Sequence, residues 1–298
     1  MASIADEIKE NFKSGSMLTK LLYINIGVFV VSLLVRMVYY LYDKSWIDYE
    51  FDFVRNIAIP SDPDILLNKP WTVFTHMFAH IDLLHILFNM LWLYWFGKIF
   101  LHYLDGKKML GLYLMGGLAG ALVYIVSFNV FPVFEKDVHV SVALGASSAV
   151  FAIIVAVAML VPDQKLYLLF FGPVKIKYIA LVSIAIGTII GFEENTGGKL
   201  GHIGGVILGY LYMLQYKKGR DISKGFLGFF SFFGKPFRRR KKMKVTYKSP
   251  PRSDYDYNAD KAKKQERMNL ILDKISKSGY NSLTKEEKEI LFKMSNRN

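Results

Sequence analysis

Six apolar runs, separated by polar segments, dominate the pattern of the chain. They cover residues 18–41, 83–103, 109–128, 145–161, 178–192 and 201–216. A helix needs roughly 20 apolar residues to cross the hydrocarbon core of a bilayer, so the longer runs predict transmembrane helices and the shortest are marginal alone. The pattern therefore predicts an all-α polytopic membrane protein built on six transmembrane helices, the first to the sixth in chain order.

Composition supports a membrane protein. The 298 residues are 52% hydrophobic and 15% aromatic, with a mean hydropathy of +0.25, which is too apolar for an ordinary soluble domain. The first run is too long for the apolar part of a signal peptide, and no small-residue cleavage site follows it, so we expect it to remain as the first helix. The absence of cysteine excludes disulfides, thiol nucleophiles and thiolate metal sites.

The distribution of charge predicts the orientation. The net charge is +13, and lysine and arginine concentrate before the first run, between the second and third, between the fourth and fifth, and after the sixth. The other loops carry mostly acidic residues, so the positive-inside rule predicts that both termini are cytoplasmic in a cytoplasmic (plasma) membrane. The basic run at 235–242 is expected to lie against anionic lipid headgroups, and no nucleic-acid partner is predicted.

Four parts follow from these patterns. Residues 1–17 form a cytoplasmic segment, 18–216 the six-helix bundle, 217–252 an aromatic and basic linker at the membrane interface, and 253–298 a small helical cytoplasmic extension. In this extension, residues 258–277 have a helical pattern that ends at Gly279. Thr284 and Glu287 then form a capping-box pattern for a second helix.

Small residues indicate which helices touch. The fourth run, beginning at Gly145, and the sixth run both carry a small residue about every fourth position, which allows two backbones to approach closely. These positions are Gly145, Ala149, Ala152 and Ala156 in the fourth run, and Gly201, Gly205 and Gly209 in the sixth. We therefore expect the fourth and sixth helices to touch, and Ser147 taken alone is explained by this packing.

Four polar residues are expected at one depth in the membrane. The second, fourth and sixth helices all run from outside to inside. Their early residues His85, Asn89, Ser147 and His202 therefore share one leaflet. A single polar residue in a spanning helix is often a hydrogen-bonding contact between helices, but four at one level favour a site.

These residue types suit acyl-transfer chemistry. A serine hydroxyl becomes nucleophilic when a neighbouring imidazole takes its proton, which suits Ser147 with His202 as its base. An oxyanion would receive hydrogen bonds from the Ser147 backbone N–H, His85 and the Asn89 amide. No acidic residue is placed to orient His202, so a Ser-His dyad is predicted. Phe151, one turn beyond the serine, is expected to stack on the imidazole.

Two other functions fit less well. His80 and His85 are five residues apart, roughly 140° around a helix, which is poor geometry for one shared metal ion. The histidine spacing therefore does not favour a metal site. A transporter or channel would place ionisable residues through the full depth of the membrane, whereas these cluster in one leaflet.

The order and spacing of these residues resemble the rhomboid family of intramembrane serine proteases. The shared positions are Trp71, then His76, His80, His85 and Asn89 on the second helix, Gly145, Ala146 and Ser147 on the fourth, and Gly201, His202, Ile203, Gly204, Gly205 and Gly209 on the sixth. The resemblance covers about 18–216. It implies a six-helix rhomboid-like bundle, a Ser147 and His202 dyad, an oxyanion site that includes His85 and Asn89, and supporting roles for His80 and Gly145.

The same resemblance implies the reaction. A rhomboid protease hydrolyses peptide bonds within or next to the transmembrane segments of other membrane proteins, with no cofactor. The alternative is a proteolytically inactive rhomboid-like protein that binds membrane-protein clients, although such proteins normally lose the serine or the histidine. The polar cavity is expected to open to the outer side. The fifth helix, with Gly187 and Gly191, is a candidate moving gate.

The chain departs from the family pattern at several positions. Ser148 stands where glycine usually follows the nucleophile, so it adds a second hydroxyl and is the reserve nucleophile. Phe151 replaces the usual tyrosine and keeps the stacking surface. Thr72 replaces an arginine that often follows the loop tryptophan, and the region of Leu101 and His102 lacks a common glutamate.

Overall fold

The computed structural model describes residues 4–168, 172–234 and 254–295, which belong to two compact units, Met1–Phe237 and Arg238–Asn298. The helices of the first unit are α1 (Ile4–Ser14), α2 (Met17–Leu41), α3 (Trp46–Tyr49), α4 (Arg55–Ile57), α5 (Pro63–Asn68), α6 (Thr72–Thr75), α7 (Leu83–Tyr103), α8 (Gly106–Val130), α9 (Ser147–Leu160), α10 (Ile176–Thr188), α11 (Thr196–Lys217) and α12 (Ile222–Gly234). The second unit contains α13 (Asp254–Ser278) and α14 (Lys285–Ser295).

Helices α2, α7, α8, α9, α10 and α11 correspond to the six apolar runs. Among the described helices, α2, α7 and α8 are each long and apolar enough to cross a membrane. A fourth span is possible if α10 and Phe192–Lys217, which meet at a bend of 74°, are taken together. Helix α9 has 14 residues and α10 has 13, so each is shorter than the roughly 30 Å hydrocarbon core. The number of six spans therefore stays a prediction.

Helix α9 lies at the centre of the first unit. It contacts α7, α8, α10 and α11, and a continuous apolar stretch in its middle, residues 152–157, is buried. Its approach to α11 depends on glycine, because a Cβ on Gly205 would lie 2.1 Å from the carbonyl O of Ser148 and one on Gly209 would lie 2.5 Å from that of Ala152. The predicted contact between the fourth and sixth helices is thus present.

The long connection between α2 and α7 is a structured segment. It contains α3 to α6 and a two-residue strand, β1 (Ile59–Pro60), which pairs antiparallel with β2 (Val142–Ala143). A hydrogen bond from Trp71 Nε1 to the carbonyl O of Asn56 (2.8 Å) secures the segment internally. A second antiparallel pair, β3 (Lys165–Leu168) with β4 (Gly172–Lys175), joins α9 to α10.

These strand pairs correct one part of the all-α prediction. The protein is mostly helical, but the turns on either side of α9 contain short strands. A two-residue strand is too short to produce an alternating pattern in the sequence, and Pro60 lies within one of them.

The second unit is the helical hairpin that the sequence predicts. Gly279, at φ +74°, follows α13, and the capping box before α14 is formed because Thr284 N–H donates to Glu287 Oε2 (2.7 Å) and Glu287 N–H donates to Thr284 Oγ1 (3.3 Å). Lys274 also pairs with Glu287. The predicted headgroup contact of 235–242 lies outside the described residues, and the cytoplasmic position of the hairpin stays a prediction.

Candidate active site

Two histidines hold the segment that leads into α9 by accepting hydrogen bonds from its backbone N–H groups. After β2, the Gly145 N–H donates to the carbonyl O of His76 (2.9 Å), and the Ala146 N–H donates to Nε2 of His80 (3.2 Å). Gly145 has φ +133°, a conformation that a residue with a side chain rarely adopts. A Cβ there would also lie 2.8 Å from Cε1 of His85. These constraints place Ser147 at the first position of α9.

His76 and His80 precede the helix on which the sequence pattern placed them. His76 begins a 3₁₀ turn, His76–Phe78, and donates from Nδ1 to the carbonyl O of Thr72 (2.8 Å). His80 is completely buried in the following loop, and α7 begins only at Leu83, capped by Asp82, whose Oδ1 accepts the N–H of His85 (2.8 Å). The prediction that His76 and His80 lie on the same helix as His85 was therefore wrong.

Ser147 and His202 meet at the starts of α9 and α11. Nε2 of His202 lies 2.7 Å from Oγ of Ser147, and Nδ1 of His202 lies 2.7 Å from the carbonyl O of Gly187. A carbonyl can only accept a hydrogen bond, so the proton of the neutral imidazole lies on Nδ1. Nε2 is then free to accept the serine hydroxyl proton, which is the tautomer that a general base requires.

Phe151 completes the support of the imidazole. Its ring centroid lies 4.8 Å from that of His202, with the planes tilted by 39°. Phe151 also packs closely against α10, because a Cβ on Gly187 would lie 2.3 Å from Cζ of Phe151. The absence of a side chain at Gly187 allows the phenyl ring and the Gly187 carbonyl to contact His202 together.

His85 and Asn89 lie on the first turns of α7 and line the same cavity as Ser147 and His202. One N–H of the Asn89 amide donates to the carbonyl O of His85 (2.9 Å), which fixes the amide and leaves its second N–H for another acceptor. No side chain caps the N-terminus of α9, so the N–H groups of its first turn are also donors that need acceptors. The arrangement can therefore offer several donors to an anionic oxygen near Ser147.

The cavity has a volume of about 760 Å³ and extends well beyond the polar residues. It lies between α7 and α10, with α9 contacting both helices, and it reaches Leu168 and Val174 in the β3 and β4 pair. Its other lining residues are Phe88, Trp92, Val150, Phe151, Ile154, Tyr178, Ile179, Val182, Ser183, Ile186 and Gly187. The site is thus a polar patch at one end of a mostly apolar groove.

Ser148 faces away from this cavity. Cβ atoms built on Gly120 and Gly201 would lie 2.3 Å and 3.2 Å from its Oγ, so the Ser148 side chain fills a slot between α8 and α11. It does line a second, much smaller cavity of about 30 Å³, together with Ser147 and His76.

The sequence did not predict one functional group, the carbonyl oxygen of Gly187. Gly187 attracted notice only as a candidate hinge, whereas the structure brings its carbonyl oxygen to Nδ1 of His202. Every residue carries a carbonyl, so no residue type could have revealed this contact. Among the described residues, no group of three histidine or acidic side chains lies close enough to hold a metal ion.

Comparison with known proteins gives two family matches. Residues 67–218 match the Rhomboid domain, and residues 253–297 match a family of unknown function, DUF6576. The chain is similar to RHOMBOID-like protein 12, mitochondrial, from Arabidopsis thaliana, with 30% identity over 185 residues, 59% of this chain and 55% of that protein. It is also similar to Rhomboid-like protein 16, chloroplastic, from the same plant, with 29% identity covering 60% of this chain and 56% of that protein.

A bacterial protein matches over a shorter region. Rhomboid protease GlpG from Haemophilus influenzae is 29% identical over 146 residues, 49% of this chain and 69% of that protein. The matches thus span little more than half the length of the two plant relatives.

Proposed function

The chain belongs to the rhomboid family, and from this premise we propose that it is an intramembrane serine endopeptidase that cleaves peptide bonds within or next to transmembrane segments of other membrane proteins. One observation carries the proposal, the 2.7 Å contact between Oγ of Ser147 and Nε2 of His202. The Nδ1 contact to the Gly187 carbonyl supports it, because it leaves Nε2 able to accept a proton.

In the proposed reaction, Oγ of Ser147 attacks the carbonyl carbon of the substrate peptide while its proton passes to Nε2 of His202. The negative oxygen of the tetrahedral intermediate receives hydrogen bonds from the Ser147 N–H, His85 and Asn89. The C–N bond then breaks, and the proton on Nε2 passes to the leaving amine. Water, deprotonated by Nε2, next attacks the acyl-enzyme and releases the carboxylic acid and free Ser147.

His202 acts without an acidic partner in this reaction. The positive charge that it acquires is stabilised by the Gly187 carbonyl, which accepts a stronger hydrogen bond from the imidazolium than from the neutral ring. Phe151 restricts the tilt of the ring. This is a Ser-His dyad with a main-chain acceptor in the position that an aspartate takes in a triad.

The apolar groove supports membrane-embedded substrates, because a transmembrane segment could remain against apolar side chains while its backbone reaches Ser147. The backbone must first leave its helical hydrogen bonds, so we expect substrates with glycine, proline or small residues near the cleaved bond. Replacing such residues by leucine in a single-span substrate should lower the cleavage rate, and unchanged rates would count against this preference.

The proposal includes the membrane topology that the charge distribution predicts. The protein is a membrane protein, and we place six spans between residues 18 and 216, both termini in the cytoplasm, and the Ser147 end of the groove toward the outer side of a cytoplasmic (plasma) membrane. The linker at 217–252 and the helical region at 253–298 then lie on the cytoplasmic side. Single cysteines introduced at Val133 and Leu270 would test this topology. The first should be labelled in intact cells, and the second only in permeabilised cells.

The experiment that tests the proposed activity is cleavage of a single-span substrate by the purified full chain. Ser147→Ala and His202→Ala should each lower the rate by roughly a thousandfold or more, because neither half of a dyad acts well alone. Ser148→Ala is the matched control and should keep activity. Full activity of Ser147→Ala would contradict the assignment, and an inactive wild type that still binds the substrate would indicate a client-binding protein instead.

A further inference from the structure

Helix α10 contributes to the dyad although it lies at the edge of the bundle. It contacts α9 and α11, and it leaves much of its surface exposed, with Leu181 65% and Val182 57% accessible. Much of α10 is therefore not packed against the rest of the bundle. The orientation of His202 nevertheless depends on it, since the Gly187 carbonyl that accepts the Nδ1 proton belongs to the last turn of α10.

A second contact ties this turn to α11. Nζ of Lys199 lies 2.5 Å from the carbonyl O of Ile190 and 3.4 Å from that of Ile186. The last carbonyls of a helix have no partner within the helix, and a cation there also suits the helix dipole. Lys199 thus caps α10 from the neighbouring helix, and one of its two acceptors is the residue that precedes Gly187.

The position of Lys199 couples this cap to the site. It precedes His202 by three residues on α11, so the two side chains leave nearly the same face of that helix. Both reach toward the C-terminal end of α10. Lys199 contacts the carbonyls of Ile186 in the helix and of Ile190 just beyond it, and His202 contacts that of Gly187. A displacement of α10 from α11 would break all these contacts together.

We infer that Lys199 is a positioning residue that fixes the end of α10 against α11 and thereby keeps the Gly187 carbonyl on His202. The inference rests on the proposed protease function and assigns it a further positioning residue. Without this cap, the end of α10 would be held against α11 by fewer contacts, and His202 would more readily lose the acceptor that sets its tautomer.

The test compares four forms of the full chain in liposomes: the wild type, Lys199→Met, Lys199→Arg and Lys177→Met. Lys177 lies at the other end of α10 and pairs with Asp163, so it receives the same substitution away from the dyad. The first readout is the rate at which a fluorophosphonate modifies Ser147, because this small probe requires no transmembrane substrate to enter. The second is the distance between spin labels at Ile189→Cys and Leu84→Cys, which a chain without native cysteine permits.

We expect Lys199→Met to lower the modification rate roughly tenfold, the effect of losing one hydrogen bond to a charged group. The label distances should lengthen or broaden in the same variant. Lys199→Arg should restore most of the rate, since it keeps a donor for the carbonyls, and Lys177→Met should match the wild type in both measurements.

Two results would overturn the positioning role. One is a modification rate in Lys199→Met equal to that of the wild type. The other is a lower rate with unchanged label distances, which would mean that Lys199 acts through its charge. A wild type that does not react at Ser147 would overturn the proposed function itself, and the positioning role with it.

Discussion

Nδ1 of His202 lies 2.7 Å from the carbonyl oxygen of Gly187, so a main-chain atom of a peripheral helix orients the imidazole that faces Ser147. A carboxylate at this point would place a charge in an apolar bundle, where burying it is costly. A carbonyl supplies the acceptor without that cost. Its position depends on how closely α10 approaches α9, and that distance can be altered by mutation.

Gly187→Ala should therefore reduce activity. The added methyl group would lie 2.3 Å from Cζ of Phe151, so either the ring or α10 must move away from His202. We expect a rate of single-span substrate cleavage roughly tenfold below that of the wild type, with a loss of about 1 kcal/mol or more in the free energy of unfolding from overpacking.

Gly27→Ala is the matched control for this change. Gly27 lies in α2, and a Cβ there meets no atom within 4 Å, so alanine should leave activity unchanged and slightly favour the helix. Equal cleavage rates for Gly187→Ala and Gly27→Ala would show that α10 tolerates the methyl group without disturbing His202.

Gly205→Ala should act on the fold more than on the chemistry. The new Cβ would lie 2.1 Å from the carbonyl O of Ser148, and a backbone atom at the centre of the bundle cannot move aside as a flexible side chain can. Separation of α9 from α11 should cost roughly 1–3 kcal/mol or more. Thermal unfolding in detergent measures this, with Gly225→Ala in α12, where the space is open, as the control.

The effect of a substitution at Ser148 should depend on the size of the new side chain. Its side chain fills the slot between Gly120 and Gly201, so Ser148→Gly should keep cleavage close to the wild-type rate. Ser148→Val should overpack the slot and lower the unfolding temperature. Loss of activity in Ser148→Gly, with Ser147 intact and the fold unchanged, would assign the second hydroxyl a part in the reaction.

Much of this arrangement was accessible from the sequence, for identifiable reasons. Apolar runs long enough to be helices mark α2, α7, α8, α9, α10 and α11, and the small residues on two of them predict that α9 touches α11. The polar residues could be brought together by topology alone. The start of α9 could not, because Gly145 is in a positive-φ conformation that delays the helix until Ser147.

One misplaced boundary has a signal in the sequence. Asp82 is a favoured N-cap residue, and a helix that begins after it excludes His80 from α7. Other features depend on contacts that residue types do not encode. The β1 and β2 pair is too short to have a periodicity. The Gly187 carbonyl has no signature at all, so the orientation of His202 emerged only from the three-dimensional structure.

The pairing of Asp62 with His139 predicts a pH dependence of stability. Oδ2 of Asp62, which follows β1, lies 2.6 Å from Nδ1 of His139, which precedes β2, and the Asp62 side chain is only 9% exposed. The His139 hydrogen bond, aided by the backbone N–H of Asp64, holds the pKa of Asp62 below its usual range. A carboxyl with a lowered folded-state pKa stabilises the fold above its unfolded pKa of about 3.9, and this contribution is lost as the pH falls through the folded value.

Asp62→Asn should therefore lower the free energy of unfolding by about 1–2 kcal/mol at pH 7, and the difference from the wild type should shrink progressively below about pH 5. Thermal unfolding between pH 3 and pH 8 measures both curves. Asp64→Asn removes a carboxylate from the same short helix without removing the contact to His139, and its curve should stay parallel to that of the wild type. A constant difference between Asp62→Asn and the wild type across the whole range would mean that the carboxylate charge does not stabilise these loops.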